Sequence, residues 1–514
     1  MLDELILVNG HIHTMDDNGT VVSSVAIEGG RIAAMGDDLK PRGPDARIID
    51  LKGHTVIPGL IDNHVHFLRM GLLPGHDMRE LETAFSLGDA LARIAERAST
   101  VPEGEPLSAL GGIHPNQFRE KRYPTLKELD DAAPRHPVYL SVSNFGPGAT
   151  NSRARDLLRA RGVPVADDGA VAPGDTTYAA WEALSATRAP ADVRRQTMWE
   201  IEHALSLGLV CLFDMGGTIP AGGFLDPRTG YVPILELMRA ERLPLRLRLF
   251  LPVQDDSASL PEVTARLDHT FNEFGNDMLR VVGFGEWLIP SRLQSRQPLP
   301  EFYTASVRAV AERGWIYKQH MITLPEQCAH LDVWEAVNRT YPVGELHWSM
   351  DHCYGLDETA LNRCKDLGIG ISAHGSPYLE GAPLPTGNPP FRMIVDSGVP
   401  AGSGSDGARI APINPWLMIY YALTGINSAG KPINAHQTID RDEALRLWTS
   451  GQGWFSKEDA HMGGLGVGKF GDLAVLDRNY FDTDAVADAD VRHIRSVLTV
   501  VGGQVVHDAG VVAA

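Results

Sequence analysis

Two histidines one residue apart, His64 and His66, close the stretch VIPGLIDNHVHF at positions 56–67. An apolar run leads through a Pro-Gly bend and past Asp62 into the pair. In a β-strand the side chains at i and i+2 share a face, so both imidazoles point into one space. Imidazole suits zinc and other late first-row divalent ions, and a rigid strand end fixes the distance between two such ligands. The remaining ligands are expected at the ends of other apolar runs: His320 after WIYKQ, His352 after LHWSMD and Asp406 after PAGSGS. An ion in such an open site lowers the pKa of its water from about 15.7 to about 7 and polarises a scissile carbonyl. Asp406 is placed to take the water's proton and hand it on, although an aspartate at the head of SDGARI could also cap the next turn. His374, after IGISA, either hydrogen-bonds the substrate oxygen or sits on the rim. Arg409 is a candidate for a substrate carboxylate, although a lone arginine is usually solvated, and Trp287 beside Glu286 reads as pocket wall.

The elements that carry these residues alternate. From Val56 onward, apolar strand patterns are separated by amphipathic helical ones, an order that implies parallel strands with crossover helices. The stretches 106–114 and 137–144 read as strands, as do the runs ending at Asp214, Glu286, His320, His352, His374 and Asp406. About eight repeats favour a closed (β/α)8 barrel, whose strand C-terminal ends line the active site. His114 is one more histidine after an apolar run. The Gly-, Asp- and Thr-rich segment VPVADDGAVAPGDTTY reads as a loop over one barrel face. No GxGxxG follows the first strand, which weighs against a dinucleotide fold.

Residues 3–56 have a different texture, with short strand patterns broken by Asn18-Gly19 and Gly29-Gly30, as in a small antiparallel sheet. His11 and His13 lie in this segment and read as structural. The tail from Gly468 has the same texture, with Gly502-Gly503 as a hairpin turn. Residues 1–56 and 468–514 are therefore expected to form one composite accessory β-sandwich, with 57–467 as the catalytic barrel.

The 514 residues carry 46 Lys and Arg against 65 Asp and Glu, a net charge of −19. So acidic a chain points away from nucleic acid and anionic membranes. The four cysteines show no CxxC pair or framework spacing, which fits reduced thiols in a cytoplasm.

The ordered set His64-x-His66, His320, His352 and Asp406 resembles the metal site of the amidohydrolase superfamily. The flanking pieces VNGHIHTMD, VIPGLIDNHVHF, PTLKELDDAAPRHPVYL, ATNSRA, GLVCLFDMGG, GSD and GVGKFGDLAVLD are similar to its YtcJ-like branch, which includes N-substituted formamide deformylases. The resemblance spans essentially the whole chain. It implies metal-dependent hydrolysis of a carbon–nitrogen bond in a small-molecule substrate, one or two divalent ions, most simply zinc, and a homodimer. Gly146 stands where family members commonly carry a histidine, and Thr323-Leu324 where they carry Gly-Asp. An aromatic-amine deaminase on the same site is the nearest alternative, but those relatives place a glutamate where Thr323 stands. A non-catalytic metal-binding regulator is a further alternative, which the retention of Asp406 disfavours. Many relatives bridge two ions with a carboxylated lysine on strand four, and this chain has no lysine between Lys127 and Lys318. Glu286, after LRVVGFG, is expected to take that bridging position. The other reading of Glu286 is a rim residue that binds substrate beside a single ion, with His352 set back.

Overall fold

The computed structural model describes residues 4–512 apart from 144, 187, 217–229, 254–258, 291–292, 294–295, 380–385 and 408–409. Its centre is an eight-stranded parallel sheet: β1 (Leu60–Val65), β2 (Leu209–Asp214), β3 (Arg246–Leu251), β4 (Leu279–Phe284), β5 (Ile316–Met321), β6 (Ser349–His352), β7 (Gly370–His374) and β8 (Ala401–Gly404). Neighbours follow chain order. The sheet closes on itself just past the end of β8, where the Asp406 amide donates to the His64 carbonyl at 2.8 Å and the His66 amide to the Gly407 carbonyl at 3.0 Å. This is a (β/α)8 barrel. Its strands and helices share one hydrophobic core.

Closure needs glycine on β8. A Cβ at Gly404 would lie 2.7 Å from the His64 backbone nitrogen, and one at Gly402 would lie 2.4 Å from Asn63 Nδ2. The text AGSG is what lets β8 lie flat against the strand that carries the histidine pair.

Residues 106–114 and 137–144 are not barrel strands. Leu107–Leu110 and Val138–Ser141 pair with each other in a separate five-stranded sheet, flanked by His76–Asp77, Gly148–Thr150 and Ala170–Val171. This sheet is inserted between β1 and β2 and has its own apolar core. The segment expected as a loop over the barrel supplies its edge strand, Ala170–Val171. His114 accordingly follows a strand of the insert, not of the barrel, and its Nδ1 accepts the Asn116 amide at 3.0 Å. Hydrophobic patterning marks a strand but does not name its partner.

The terminal segments build two sheets, one of four strands and one of six. The first 56 residues are not purely antiparallel: Leu5–Val8 runs parallel to Arg47–Asp50, and His11–His13 parallel to Thr55–Pro58. Thr55–Pro58 also pairs antiparallel with the C-terminal strand Leu473–Leu476, and continues through Gly59 into β1. The His13 ring stacks on Phe481, with centroids 3.6 Å apart.

Candidate metal centre

The C-terminal ends of β1, β4, β5, β6 and β8 bring six side chains together. Donor atoms of His64, His66 and Asp406 lie within 4.8 Å of one another, as do those of Glu286, His320 and His352. Glu286 stands between the two groups. Its Oε1 is 3.1 Å from His66 Nε2, while its Oε2 is 2.7 Å from His320 Nδ1, 3.5 Å from His64 Nε2 and 3.6 Å from His352 Nε2. Asp406 Oδ1 is 3.2 Å from His66 Nε2 and 3.8 Å from His64 Nε2. All six were singled out in the sequence.

The centre is buried: His64, His66, Glu286, His352 and Asp406 are each at most 5% exposed. Yet His64 Nε2, His352 Nε2 and Asp406 Oδ2 have no hydrogen-bond partner among the described residues. Buried polar atoms are normally satisfied, so these bare nitrogens and oxygen, converging with Glu286, fit a divalent cation. The donor set, imidazole and carboxylate, suits first-row divalent ions, zinc among them.

Charge is balanced within the cluster. Burial alone would raise the Glu286 carboxyl, but His320 and His66 outweigh it and hold the group well below the usual carboxylate range. Burial opposes the Asp406 carboxylate in the same way, and His66, His352 and His64 together bring it down to about 2. Both carboxylates are therefore anionic at neutral pH, as metal ligands must be.

Beneath the cluster lies a set of partners that the sequence reading did not single out. Asp351, one residue before His352, is fully buried, and its Oδ2 lies 2.8 Å from His64 Nδ1. That contact places the ring proton on Nδ1 and leaves Nε2 as the donor facing the centre. Asp351 Oδ1 pairs with Lys318 Nζ at 3.1 Å, and Lys318 also donates to the Asn63 carbonyl at 2.9 Å. The position of Asp351 at the end of an apolar strand is the signal that could have revealed it. Both Asp351 and His352 reach the site because the strand bends sharply there: His352 has φ +73°, in the left-handed region. Asp406 has φ +55°. Such backbone is costly for residues other than glycine and clusters at functional sites.

His374 is not on the rim: its ring is fully buried, with Nδ1 3.0 Å from His352 Nδ1 and Nε2 2.9 Å from Ser372 Oγ. Its donor atoms also lie within 4.8 Å of those of His64 and His352. Trp287 is half-buried and stacks on the His320 ring, with centroids 4.4 Å apart and planes 25° from parallel, as a wall would. Arg409 lies outside the described residues. Thr323 caps the helix Leu324–Asn338, and Gly146 sits between the insert strands Val138–Ser141 and Gly148–Thr150.

A parallel barrel with histidines and carboxylates at its strand ends defines a class of metal-dependent hydrolases, and the comparison with known proteins agrees. The chain belongs to the amidohydrolase family, whose model matches residues 47–507, and is a hydrolase of carbon–nitrogen bonds. It is 24% identical to the N-substituted formamide deformylase of Arthrobacter pascens, over 97% of each chain. It is also 24% identical to the putative amidohydrolase YtcJ of Bacillus subtilis strain 168, over 97% of this chain and 98% of that one. Its fold matches an uncharacterized metal-dependent hydrolase from Pyrococcus horikoshii OT3 with a TM-score of 0.62 and 19% identity, covering 95% of this chain and 99% of the other.

Proposed function

We propose that the protein hydrolyses a small amide, formamide or cyclic amide, using one or two divalent ions that His64, His66, Glu286, His320, His352 and Asp406 would hold between them. The observation that carries this reading is the position of Glu286, one oxygen toward His66 and the other toward His320, which suits a carboxylate shared by two ions. When bound, the ion polarises the scissile carbonyl and acidifies the attacking water. The steps that belong to the chain are proton transfer and positioning. Asp406, anionic and with one oxygen unpartnered, takes the water's proton and delivers it to the leaving nitrogen. Asp351 holds His64 in the tautomer that presents Nε2, and His374 steadies His352. Trp287 confines the substrate against the His320 side of the site. A formamide is the first substrate class to try, because the Arthrobacter pascens relative is named as a formamide deformylase.

The test is a screen of amides, formamides, cyclic imides and lactones against the zinc-loaded protein, run beside Asp406→Asn and Glu286→Gln. Turnover on a carbon–nitrogen substrate is expected to fall by about 10²-fold or more in Asp406→Asn, with the melting temperature preserved. Glu286→Gln is expected to lower metal content. An Asn variant that keeps more than about a tenth of the wild-type rate removes Asp406 from the proton path, and unchanged metal in Glu286→Gln leaves that glutamate as a substrate or supporting residue.

A further inference from the structure

Among the described residues four arginines are buried, and three of them hold carboxylates. Arg79 pairs with Asp77 and Glu82, Arg246 with Asp472, and Arg248 with Glu458. The fourth, Arg69, holds none among the described residues. It sits on the short helix α1 (Phe67–Gly71), which follows directly from β1, and is 3% exposed. Its backbone amide donates to the His66 carbonyl at 2.9 Å, which ties it one turn from a proposed ligand. Its guanidinium makes no hydrogen bond or ion pair with any described residue, and Nε is buried without a partner.

Burying an unpaired guanidinium is expensive, so the chain needs a reason to keep one there. The neighbouring carboxylates do not supply it. Asp214, at the end of β2, has both oxygens engaged, Oδ1 by the Leu68 amide at 3.3 Å and Oδ2 by the Tyr231 hydroxyl at 2.8 Å. Glu286 and Asp406 are near enough to act on Arg69 electrostatically, but in the proposed mechanism they are committed to the ion. What remains is a planar fork of N–H donors, within electrostatic reach of the metal cluster, that holds no partner among the described residues. A fork of that shape matches a carboxylate through two parallel hydrogen bonds. The acidic surroundings favour a monoanion over a phosphate dianion.

We propose that Arg69 anchors a carboxylate on the substrate, so that the substrate class is an amide bearing a free carboxylate, such as an N-acyl amino acid. This rests on the amide-hydrolase reading above and narrows it. The test uses matched pairs: N-formyl, N-acetyl and N-benzoyl amino acids, each beside its neutral carboxamide. Binding is measured by calorimetry with and without zinc, and hydrolysis by product formation, for wild type, Arg69→Gln and Arg69→Lys. Wild type is expected to favour the carboxylates by about tenfold or more, Arg69→Gln to erase that preference, and Arg69→Lys to keep part of it. A wild type that binds the two members of each pair equally, or a preference that survives in Arg69→Gln, overturns the proposal. The wild-type comparison and Arg69→Lys decide it even where the Gln variant does not fold. Preferential carboxylate binding lost in Arg69→Gln, with no hydrolysis of any compound, upholds the anchor and removes the proposed amide substrates. Hydrolysis without carboxylate preference does the reverse.

Discussion

At the scale of single residues, the proposed centre is supported by groups outside its ligand set. Asp351 is the clearest case: one oxygen orients His64, and the other is held by Lys318 in a fully buried pair. Burial pushes its carboxyl up to about 6 even though Lys318 and His352 pull it down, so the lysine partner is needed to keep it ionised. Supporting partners of this kind typically contribute about 10–100-fold in metal affinity. Asp351→Asn is therefore expected to weaken zinc binding by about that factor, because an amide can also present its NH2 to His64 and stabilise the wrong tautomer. Competition against a chelator of known affinity measures it. Wild-type affinity in the variant would show that His64 is oriented by packing alone.

At the scale of elements, the insert is tied to the segment that follows β8 through one glutamate. Glu82 lies on the short helical turn Arg79–Thr83, and its two oxygens accept the amides of Ile413 and Asn414 at 3.1 and 3.2 Å. Asn414 caps the helix Pro415–Thr424, so the chain leaving Asp406 is pinned at its far end by the insert. Burial pushes the Glu82 carboxyl up to about 7, since Arg79 is shared with Asp77 and offsets only part of the cost. An unfolded glutamate titrates near about 4.3. The folded chain thus binds the proton more tightly, and the resulting stabilisation is complete below about pH 4.3 and lost as pH rises through about 7. Glu82→Gln cannot titrate. The stability of wild type relative to this variant is expected to fall by up to about 1.4 kcal/mol per pH unit across that window, read from urea unfolding at about pH 5, 6 and 7. A difference independent of pH would mean that Glu82 is ionised throughout.

At the scale of the whole molecule, the barrel and the terminal sheets are joined by buried charge as well as by chain continuity. Arg246, the first residue of β3, forms a double hydrogen bond to Asp472, next to the C-terminal strand Leu473–Leu476. Two residues on, Arg248 does the same to Glu458. Removing one partner of such a pair leaves an uncompensated buried charge and costs about 3–5 kcal/mol. Asp472→Ala is expected to lose stability by that amount in thermal or urea unfolding, with metal content unchanged, because the pair lies at the opposite end of β3 from the site. A loss below about 1 kcal/mol would mean that Arg246 finds another acceptor or reaches solvent. Among the described residues, no helix is long and apolar enough to cross a membrane.

Much of the site was legible because its chemistry is written locally. The alternation of a strand puts His64 and His66 on one face without reference to anything else, and the strand-end positions of His320, His352 and Asp406 follow from apolar runs that stop. The lack of a lysine before β5 singled out Glu286, and the glycines of AGSGSD mark a strand that must pass close to another backbone. What local pattern cannot carry is partnership across sequence distance. The strands at 107–110 and 138–141 look like barrel strands because a buried parallel strand has the same apolar text wherever it pairs. The role of Asp351 depends on His64, 287 residues away, and that of His374 on a second ring nitrogen aimed at His352. Arg69 reads as one more charged residue on a helix until the fold encloses it and leaves its guanidinium without a hydrogen bond or ion pair among the described residues, because pairing is set by tertiary distance and not by residue type.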